Sequence, residues 1–263
     1  MYSPIQSNRA RGSAGEPLPT VWKSFEELGI TFRRGELVLV CAGSGTGKSV
    51  TMLSYALKSR SPALYFSADS NAFTQLARTI SIVTRMPMTE SKQLILDGKL
   101  ERVEKNLKPL AIRFVYEASP SLDTIEMNLE SYFEIYGHYP ALMIVDNVTN
   151  VSFEGQGELN EAFGLEGLMD WLNDLGRKKD SCVVGLHHVK EEYNNGDKPI
   201  PLKGVKNQIH RVPAAVLTIH KPDGDEFRRG VSPVKNRDGE ADPSGYRFAE
   251  LSFNGARMQI DDY

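Results

Sequence analysis

The sequence lacks the features of a membrane-spanning or disulfide-bonded protein. No apolar run approaches the roughly eighteen residues that a membrane helix needs, and no basic-then-apolar signal segment opens the chain. Only two of the 263 residues are cysteine. Cys41 and Cys182 both lie in apolar, strand-like runs, where cysteine usually acts as a small hydrophobic residue. We therefore expect no membrane role, a cytoplasmic location and no functional thiol.

An excess of positive charge is also absent. Lys and Arg number 31 against 34 Asp and Glu, which gives a formal net charge of −3. The chain as a whole therefore does not attract nucleic acid, and any polyanion site must be a local patch. Residues 1–20 hold three prolines and little that can be buried, so we expect a flexible N-terminal arm. Residues 21–263 show no linker and no internal repeat, which predicts one domain.

The most informative stretch is residues 36–49, ELVLVC followed by AGSGTGKS. An apolar strand leads into a glycine-rich turn whose backbone N–H groups can point inward, and a helix starting near Gly47 adds its positive end. Lys48 would reach the β- and γ-phosphates of a nucleotide and Ser49 would ligate Mg²⁺. The residues predicted to bind the nucleotide are Gly43, Ser44, Gly45, Thr46, Gly47, Lys48, Ser49 and Val50.

Strand-like and helix-like segments alternate along most of the chain. Strands are predicted at 36–42, 63–67, 111–116, 141–145, 182–186 and 214–219, and helices at 48–59, from 71, at 122–136 and at 160–175. From residue 227 the pattern becomes that of hairpins. This order predicts an α/β fold in which a mostly parallel, twisted sheet is flanked by helices and ends in C-terminal β-hairpins.

Two carboxylates follow buried-type strands. Asp146 ends the run ALMIV, where a nucleotide-bound Mg²⁺ needs a negative partner. Asp69 follows ALYFS and has two possible roles. It can polarise the water that attacks the γ-phosphate, or it can cap the helix that starts near Asn71; the spacing alone leaves both open.

In this order the motifs resemble the RecA-like P-loop ATPase core of DnaB-like (superfamily 4) replicative helicases, and less closely RecA and its recombinase relatives. The resemblance spans about residues 21–253. The segment FSADSNAFTQLAR is similar to the one that carries the family's catalytic Glu, which implies a catalytic role for Asp69. The run LMIVDN resembles the Walker B strand, which implies that Asp146 lies on the metal side.

Two further segments complete the resemblance. VVGLHHVK is similar to the strand that ends in a polar sensor, and His188 takes that place. VSPVKNRDG resembles the K-x-R signature, which implies that Lys235 and Arg237 reach the ATP of a neighbouring subunit. Arginine there would stabilise the charge that develops on the γ-phosphate.

The sequence also departs from the family. Asp69 is one methylene shorter than Glu, and small misplacements of a catalytic group slow a reaction, so slow hydrolysis is one expectation. His188 titrates near pH 6.5 in its unperturbed state, so coupling between nucleotide and DNA is expected to depend on pH. The N-terminal helical domain of bacterial DnaB has no counterpart in this sequence.

The segment Lys198–Arg211, KPIPLKGVKNQIHR, contains four Lys or Arg residues and no acidic residue. The resemblance places here the loop that lines the central channel of the ring. Lys203 and Lys206 are the candidates for binding the DNA backbone, with Gly204 allowing close approach; a solvated loop is the alternative. A second loop, 148–159, contains Asn150, Glu154, Gln156 and Glu158, and its acidity weakens a DNA role.

The resemblance implies an Mg²⁺-dependent ATPase that forms a hexamer or a filament of identical subunits, binds single-stranded DNA, and moves along or unwinds DNA. A minimal, phage-type form of the helicase core is expected. Two alternatives remain: a recombination or repair ATPase of the RecA/RadA kind, and an ATP-gated DNA-binding module with weak hydrolysis. GTP is disfavoured, since the sequence has no NKxD-type signature.

Overall fold

A computed structural model describes residues 1–152 and 161–263. Its strands are β1 (Leu37–Ala42), β2 (Ala63–Ser67), β3 (Ile112–Val115), β4 (Leu142–Asp146), β5 (Cys182–His188), β6 (Ala215–His220), β7 (Arg228–Asn236), β8 (Ala249–Asn254) and β9 (Gln259–Asp262). Its α-helices are α1 (Pro4–Ala10), α2 (Lys23–Glu27), α3 (Lys48–Ser59), α4 (Ala72–Thr84), α5 (Met88–Leu96), α6 (Glu104–Leu107), α7 (Leu122–Tyr136) and α8 (Glu161–Lys179). The described helices contain none that is both long and apolar enough to cross a membrane.

The strands form one sheet in the order β3-β2-β4-β5-β1-β6-β7-β8-β9. The first six strands in this order are parallel, and β7, β8 and β9 extend the sheet in antiparallel fashion. The predicted α/β fold with C-terminal hairpins is therefore confirmed. We call the edge at which the parallel strands end the carboxyl edge. There Ala42 pairs with His188, and Ser67 pairs with Asp146.

Both faces of the sheet are covered, which explains why the central strands are continuously apolar. On β1, Val38 and Val40 lie in the core layer that also contains α3 residues, whereas Leu37 and Leu39 lie in the layer built with α7 and α8. Burial of each such leucine side chain stabilises the folded state by about 1.5–3 kcal/mol relative to an exposed one. This two-sided burial fixes β1 rigidly, and with it the turn that follows.

Most predicted segments agree with the structure to within one or two residues, because each carries its own periodic pattern. Two differ in a useful way. The helix predicted at 160–175 continues to Lys179, and the strand predicted at 182–186 continues to His188. The extension of β5 places both His187 and His188 at the carboxyl edge.

The N-terminal segment contacts the domain through residues 13–19. The Ser13 amide donates to Asp180 Oδ2 at 3.2 Å, and the Tyr55 hydroxyl donates to the Pro19 carbonyl at 3.2 Å. Leu18 is buried, and its amide donates to the Phe32 carbonyl at 2.8 Å. By contrast, α1 has no buried residue. The arm predicted from composition thus contains a short exposed helix followed by a segment hydrogen-bonded to the domain.

Candidate active site

The glycine-rich turn joins β1 to α3 at the carboxyl edge. Gly45 has φ 73° and Gly47 has φ 106°, a left-handed backbone that glycine adopts without strain. No side chain caps α3 at Gly47, so the first N–H groups of this helix can bind an anion. Lys48 is 7% exposed. The predicted nucleotide-binding residues, 43–50, therefore share one loop and one helical turn.

Asp146 is buried beside this loop, with 1% of its surface exposed. The Tyr65 hydroxyl donates to its Oδ2 atom at 2.7 Å, whereas Oδ1 accepts no hydrogen bond from the part of the chain that the structure describes. Burial raises the pKa of the Asp146 carboxyl, while Tyr65, the Ser49 hydroxyl and Lys48 act in the opposite direction. One buried carboxylate oxygen is thus free to bind a further group.

The oxygen atoms of Ser49 and Asp146 at this point are suitable ligands for Mg²⁺. This ion prefers oxygen ligands, keeps several waters and usually binds through one or two protein groups plus substrate phosphates. The Ser49 hydroxyl and Asp146 Oδ1 supply two such groups. Within residues 1–152 and 161–263 no cluster of three or more His, Cys, Asp or Glu side chains forms a separate metal site. An ion held here would therefore need the phosphates of a nucleotide.

Asp69 lies in the turn after β2, where two amides bind its carboxylate. Asn147 Nδ2 donates to Oδ2 at 2.6 Å, and Asn150 Nδ2 donates to Oδ1 at 3.2 Å. The helix-cap role for Asp69 is wrong, because Asn71 caps α4 by accepting a hydrogen bond from the Thr74 amide at 2.9 Å. Asp69 is instead held next to Asp146 and Asn147.

His188 joins the same cluster through Asn147, whose Nδ2 also donates to His188 Nε2 at 3.1 Å. One amide therefore orients both Asp69 and His188. Burial lowers the pKa of His188, Lys48 and Lys206 lower it further, and Asp69 acts against them. The lowered pKa of His188 moves the pH dependence expected near 6.5 to more acidic conditions.

The preceding residue, His187, faces the predicted DNA loop. It is fully buried and donates from Nε2 to the Lys206 carbonyl at 3.0 Å. Burial lowers its pKa to about 4. The last two residues of β5 thus bind different parts of the molecule: His188 contacts the carboxylate cluster, and His187 fixes the loop that leads to β6.

Residues 190–198, which we call the strap, lie directly on the phosphate loop. Asn194 Oδ1 accepts a hydrogen bond from the Ser44 amide at 3.0 Å. A Cβ atom added to Gly43 would lie 2.0 Å from the Asn194 carbonyl oxygen, and one added to Gly196 would lie 2.5 Å from Thr46 Oγ1. Glycine is therefore required at both contacts.

Lys235 and Arg237 lie at the end of β7 that is opposite to the carboxyl edge. At the other end, Arg229 is buried with its Nε atom 3.3 Å from the position of a Cβ on Gly47. Eight residues of extended strand separate Arg237 from Arg229, a distance of roughly 25 Å. Lys235 Nζ donates to the His210 and Arg211 carbonyls at 2.7 Å, and Arg237 Nη2 donates to the Val212 carbonyl at 2.9 Å. The structure thus does not bring these two residues to the phosphate loop of their own subunit.

The three predicted DNA-binding residues have different surroundings. Lys203 and Lys206 are exposed, but Lys203 borders a surface cavity, whereas the charge of Lys206 acts on His188. Gly204 is buried, and a Cβ added there would lie 3.0 Å from the Tyr193 ring. The space beside Gly204 that was predicted to admit DNA is therefore occupied by the Tyr193 ring. In the second loop, Glu154, Gln156 and Glu158 lie outside the described residues, and Asn150 binds Asp69.

Glu36, next to Arg237, is expected to make the free energy of unfolding depend on pH. Burial and the neighbouring Asp238 carboxyl raise the pKa of Glu36 to about 7, while Arg33 and Arg237 act against the rise. Because the folded-state pKa exceeds the unfolded one, the protein loses stability as pH rises through 7. We expect Glu36→Gln to raise the free energy of unfolding by about 1 kcal/mol at pH 8 and to leave it nearly unchanged at pH 5.

Urea unfolding at the two pH values measures this difference. The exposed Glu90→Gln on α5 is the matched control. An equal effect of Glu36→Gln on the free energy of unfolding at both pH values would contradict the raised pKa of Glu36.

Several residues of the site were not found from the sequence. Tyr65 is hidden inside an apolar strand run, and Asn194 is distant in sequence from the phosphate loop that it contacts. Asn147 had a signal, since it directly follows Asp146 in the run LMIVDN. No comparable sequence pattern marks Arg229.

Comparison with known proteins identifies the family. The chain is 52% identical over 267 aligned positions to the Gene 65 protein of Mycobacterium phage L5, which covers 100% of this chain and 99% of that protein. The chain belongs to this family of phage proteins. A second member, the Gene 65 protein of Mycobacterium phage D29, is 51% identical over 232 positions, covering 86% of this chain and 99% of that protein. The expected phage-type family is thus confirmed, although no protein-family profile matches the chain.

Solved structures of helicase ATPase domains share the fold. One of them, described as an ATPase domain, superposes with a TM-score of 0.82 at 13% identity, covering 98% of this chain and 95% of that chain. A DnaB-like replicative helicase, solved in a study of its interactions with primase, gives a TM-score of 0.82 at 14% identity, covering 98% of this chain and 67% of that chain. The resemblance to the RecA-like core of DnaB-like helicases is confirmed at the level of the fold.

Proposed function

We propose that the protein is an oligomeric, Mg²⁺-dependent ATPase that binds single-stranded DNA and moves along or unwinds it. One observation carries the proposal: the phosphate loop, the buried Asp146 and the Asn147-linked pair of Asp69 and His188 converge at the carboxyl edge of the sheet. This arrangement provides a phosphate site, a metal ligand and a carboxylate for the attacking water in one place.

Each side chain then has a definite task. Lys48 neutralises charge on the β- and γ-phosphates, and Ser49 and Asp146 would hold Mg²⁺, which supplies further charge neutralisation when it is bound. Asp69 accepts hydrogen bonds and is positioned to orient a water molecule. Because Asn147 donates to both Asp69 and His188, a new contact at His188 would also move the catalytic carboxylate.

The position of Lys235 and Arg237 supports an assembly of identical subunits. They are too far along β7 to act on the phosphate loop of their own chain, so they can stabilise a transition state only in a neighbour. The exposed Lys203 and Lys206, on a segment without acidic residues, support contact with the backbone of a single strand. Repetition of this segment in a ring or filament would concentrate its positive charge.

An ATP-gated DNA-binding module with weak hydrolysis is the second candidate. Asp69 favours it, since the carboxylate is short and both of its oxygens already accept a hydrogen bond from an asparagine. Such a protein would close on DNA with ATP bound and release it slowly.

Measurement of ATP turnover with and without single-stranded DNA tests the proposal. We expect turnover that DNA stimulates in the wild type, background turnover in Lys48→Ala, and wild-type behaviour in Lys92→Ala, a matched control on the exposed face of α5. Wild-type turnover no higher than that of Lys48→Ala would exclude a motor. ATP-dependent DNA binding without turnover above background would support the second candidate. DNA-stimulated turnover together with unwinding of a forked duplex would support the first.

A further inference from the structure

A cavity of about 910 Å³ opens between the strap and the turn at residues 242–247. Its size lies at the upper end of the range of about 300–1,000 Å³ that is usual for ligand sites. Lys190, Lys198 and Lys203 lie on its walls with Tyr193 and Tyr246, and none of the described side chains that line it is acidic. Glu192, beside the Tyr193 hydroxyl, and Asp242, within the turn, are the acidic groups next to this lining. The cavity therefore combines positive charge with aromatic surface, and the site at the carboxyl edge uses none of these five side chains.

The first wall carries Tyr193 in a fixed position. Two ring atoms lie 3.0 Å from the position that a Cβ on Gly204 would occupy, so the ring is supported closely by the backbone. Lys198 Nζ lies 5.0 Å from the centroid of the ring. This wall thus presents a supported aromatic ring with a cation next to it, as in cation–π pairs.

The second wall is a turn that several hydrogen bonds hold in place. Asp242 accepts hydrogen bonds from the Ser244 amide at 3.0 Å and the Arg247 amide at 2.8 Å. A Cβ added to Gly245 would lie 2.6 Å from the Ile200 carbonyl oxygen, so the turn contacts the first wall directly. The Tyr246 side chain nevertheless projects into solvent, with 74% of the residue exposed.

We propose that this cavity binds one nucleotide of a single DNA strand, with its base against Tyr193 and Tyr246 and its phosphates on Lys198 and Lys203. Aromatic rings that stack bases, next to lysines that bind the backbone, are typical of sites that bind single strands without sequence preference. The inference rests on the proposed function, which brings a single strand to the segment 198–211. It adds that the bases themselves are bound, not only the phosphates.

The site is connected to the phosphate loop through the strap. Tyr193 lines the cavity, and the next residue, Asn194, accepts a hydrogen bond from the Ser44 amide. The two residues belong to one short turn, since the Asn194 amide donates to the Glu191 carbonyl at 2.9 Å. A base bound at Tyr193 would therefore act on the loop that binds the nucleotide phosphates.

Fluorescence anisotropy with two strands of equal length and charge tests the site. One strand is an oligothymidine, and the other carries abasic sugars throughout. We expect the wild type to prefer the strand with bases by about ten-fold, and Tyr246→Ala and Tyr193→Ala each to lose most of this preference. Tyr246→Phe keeps the ring and should keep the preference. Tyr263→Ala, another exposed tyrosine at 75%, is the matched control.

The lysines have a separate expected effect. Lys198→Ala and Lys203→Ala should each weaken binding of both strands several-fold and reduce the salt dependence, by about one released counterion each, whereas Lys92→Ala should change neither.

The outcomes separate this site from the proposed function. Strong binding of both strands with equal affinity would overturn the base site and leave the DNA-dependent ATPase intact. No binding of either strand and no DNA stimulation of turnover would overturn both. Binding of free thymidine monophosphate, without binding of either strand, would show that the cavity is not a strand site. Loss of that nucleotide binding in Tyr246→Ala would show that it occurs in the cavity. Tyr246 is exposed, so its replacement tests the site even if Tyr193→Ala fails to fold.

Discussion

Mixtures of Arg237→Ala and Lys48→Ala subunits are expected to regain ATP turnover that neither variant has alone. Arg237 projects from the edge of the sheet opposite to its own phosphate loop, roughly 25 Å away along β7. It can therefore complete an active site only with the loop of a neighbouring subunit. Each variant alone should lose about a thousand-fold in turnover, the scale of an arginine that acts in trans.

The amount of recovery is predictable. In a random one-to-one mixture, roughly a quarter of the interfaces pair an intact phosphate loop with an intact Arg237. Turnover should therefore rise to about that fraction of the wild-type rate, or to less if the sites hydrolyse ATP in sequence around a ring. Arg102→Ala, at an exposed position, is the matched control and should be fully active alone.

Two results would contradict action in trans. One is full activity of Arg237→Ala by itself. The other is background activity at every mixing ratio, provided that co-purification of differently tagged subunits shows mixed assemblies.

The phosphate loop and the sheet around it were predictable because their signals are local. An apolar strand, a glycine-rich turn and Lys48-Ser49 follow one another without interruption, and φ values of 73° and 106° at Gly45 and Gly47 agree with that prediction. The alternation of strands and helices predicted the α/β fold for the same reason. These features depend on short-range backbone preferences and on burial of one face at a time.

The contacts that complete the site were not predictable, because they depend on how distant segments meet. Asn194 follows β5 in the sequence and accepts a hydrogen bond from the Ser44 amide, and nothing in the strap itself indicates this partner. Gly204 shows the reverse case. Its place in a basic loop predicts close approach by DNA, but in the structure the Tyr193 ring fills the space beside it.

The segment 198–211 is held at three points that adjoin either the proposed ATP site or the residues proposed to act on a neighbouring subunit. It follows the strap that covers Ser44, its Lys206 carbonyl is bound by His187, and the carbonyls of residues 210–212 accept from Lys235 and Arg237. A nucleotide between two subunits would contact His188 on one side and Arg237 on the other. The basic segment of each chain would then respond to its own nucleotide near Lys206 and to the nucleotide of a neighbouring subunit near Arg211. This double connection would give a physical basis for coupling successive hydrolysis events to movement on DNA.

Asp69→Asn is expected to lower ATP turnover by about a hundred-fold or more, the scale of a lost general base or water-orienting group. The carboxylate accepts from two amides, and the substituted amide replaces one acceptor by a donor. The affinity for ATP should change little, because the phosphate loop, Ser49 and Asp146 remain. Single-turnover hydrolysis and nucleotide binding, measured on the same preparation, separate these two quantities.

Asp69→Glu distinguishes a catalytic carboxylate from a structural one. The longer side chain keeps the negative charge and extends its reach by one methylene, so its turnover should exceed that of Asp69→Asn. If the short reach of Asp69 limits the wild type, Asp69→Glu will be faster than the wild type as well. Asp123→Asn, in the exposed first turn of α7, is the matched control. Wild-type turnover in Asp69→Asn would assign the attacking water to another group, because the two asparagines would then only hold the turn after β2.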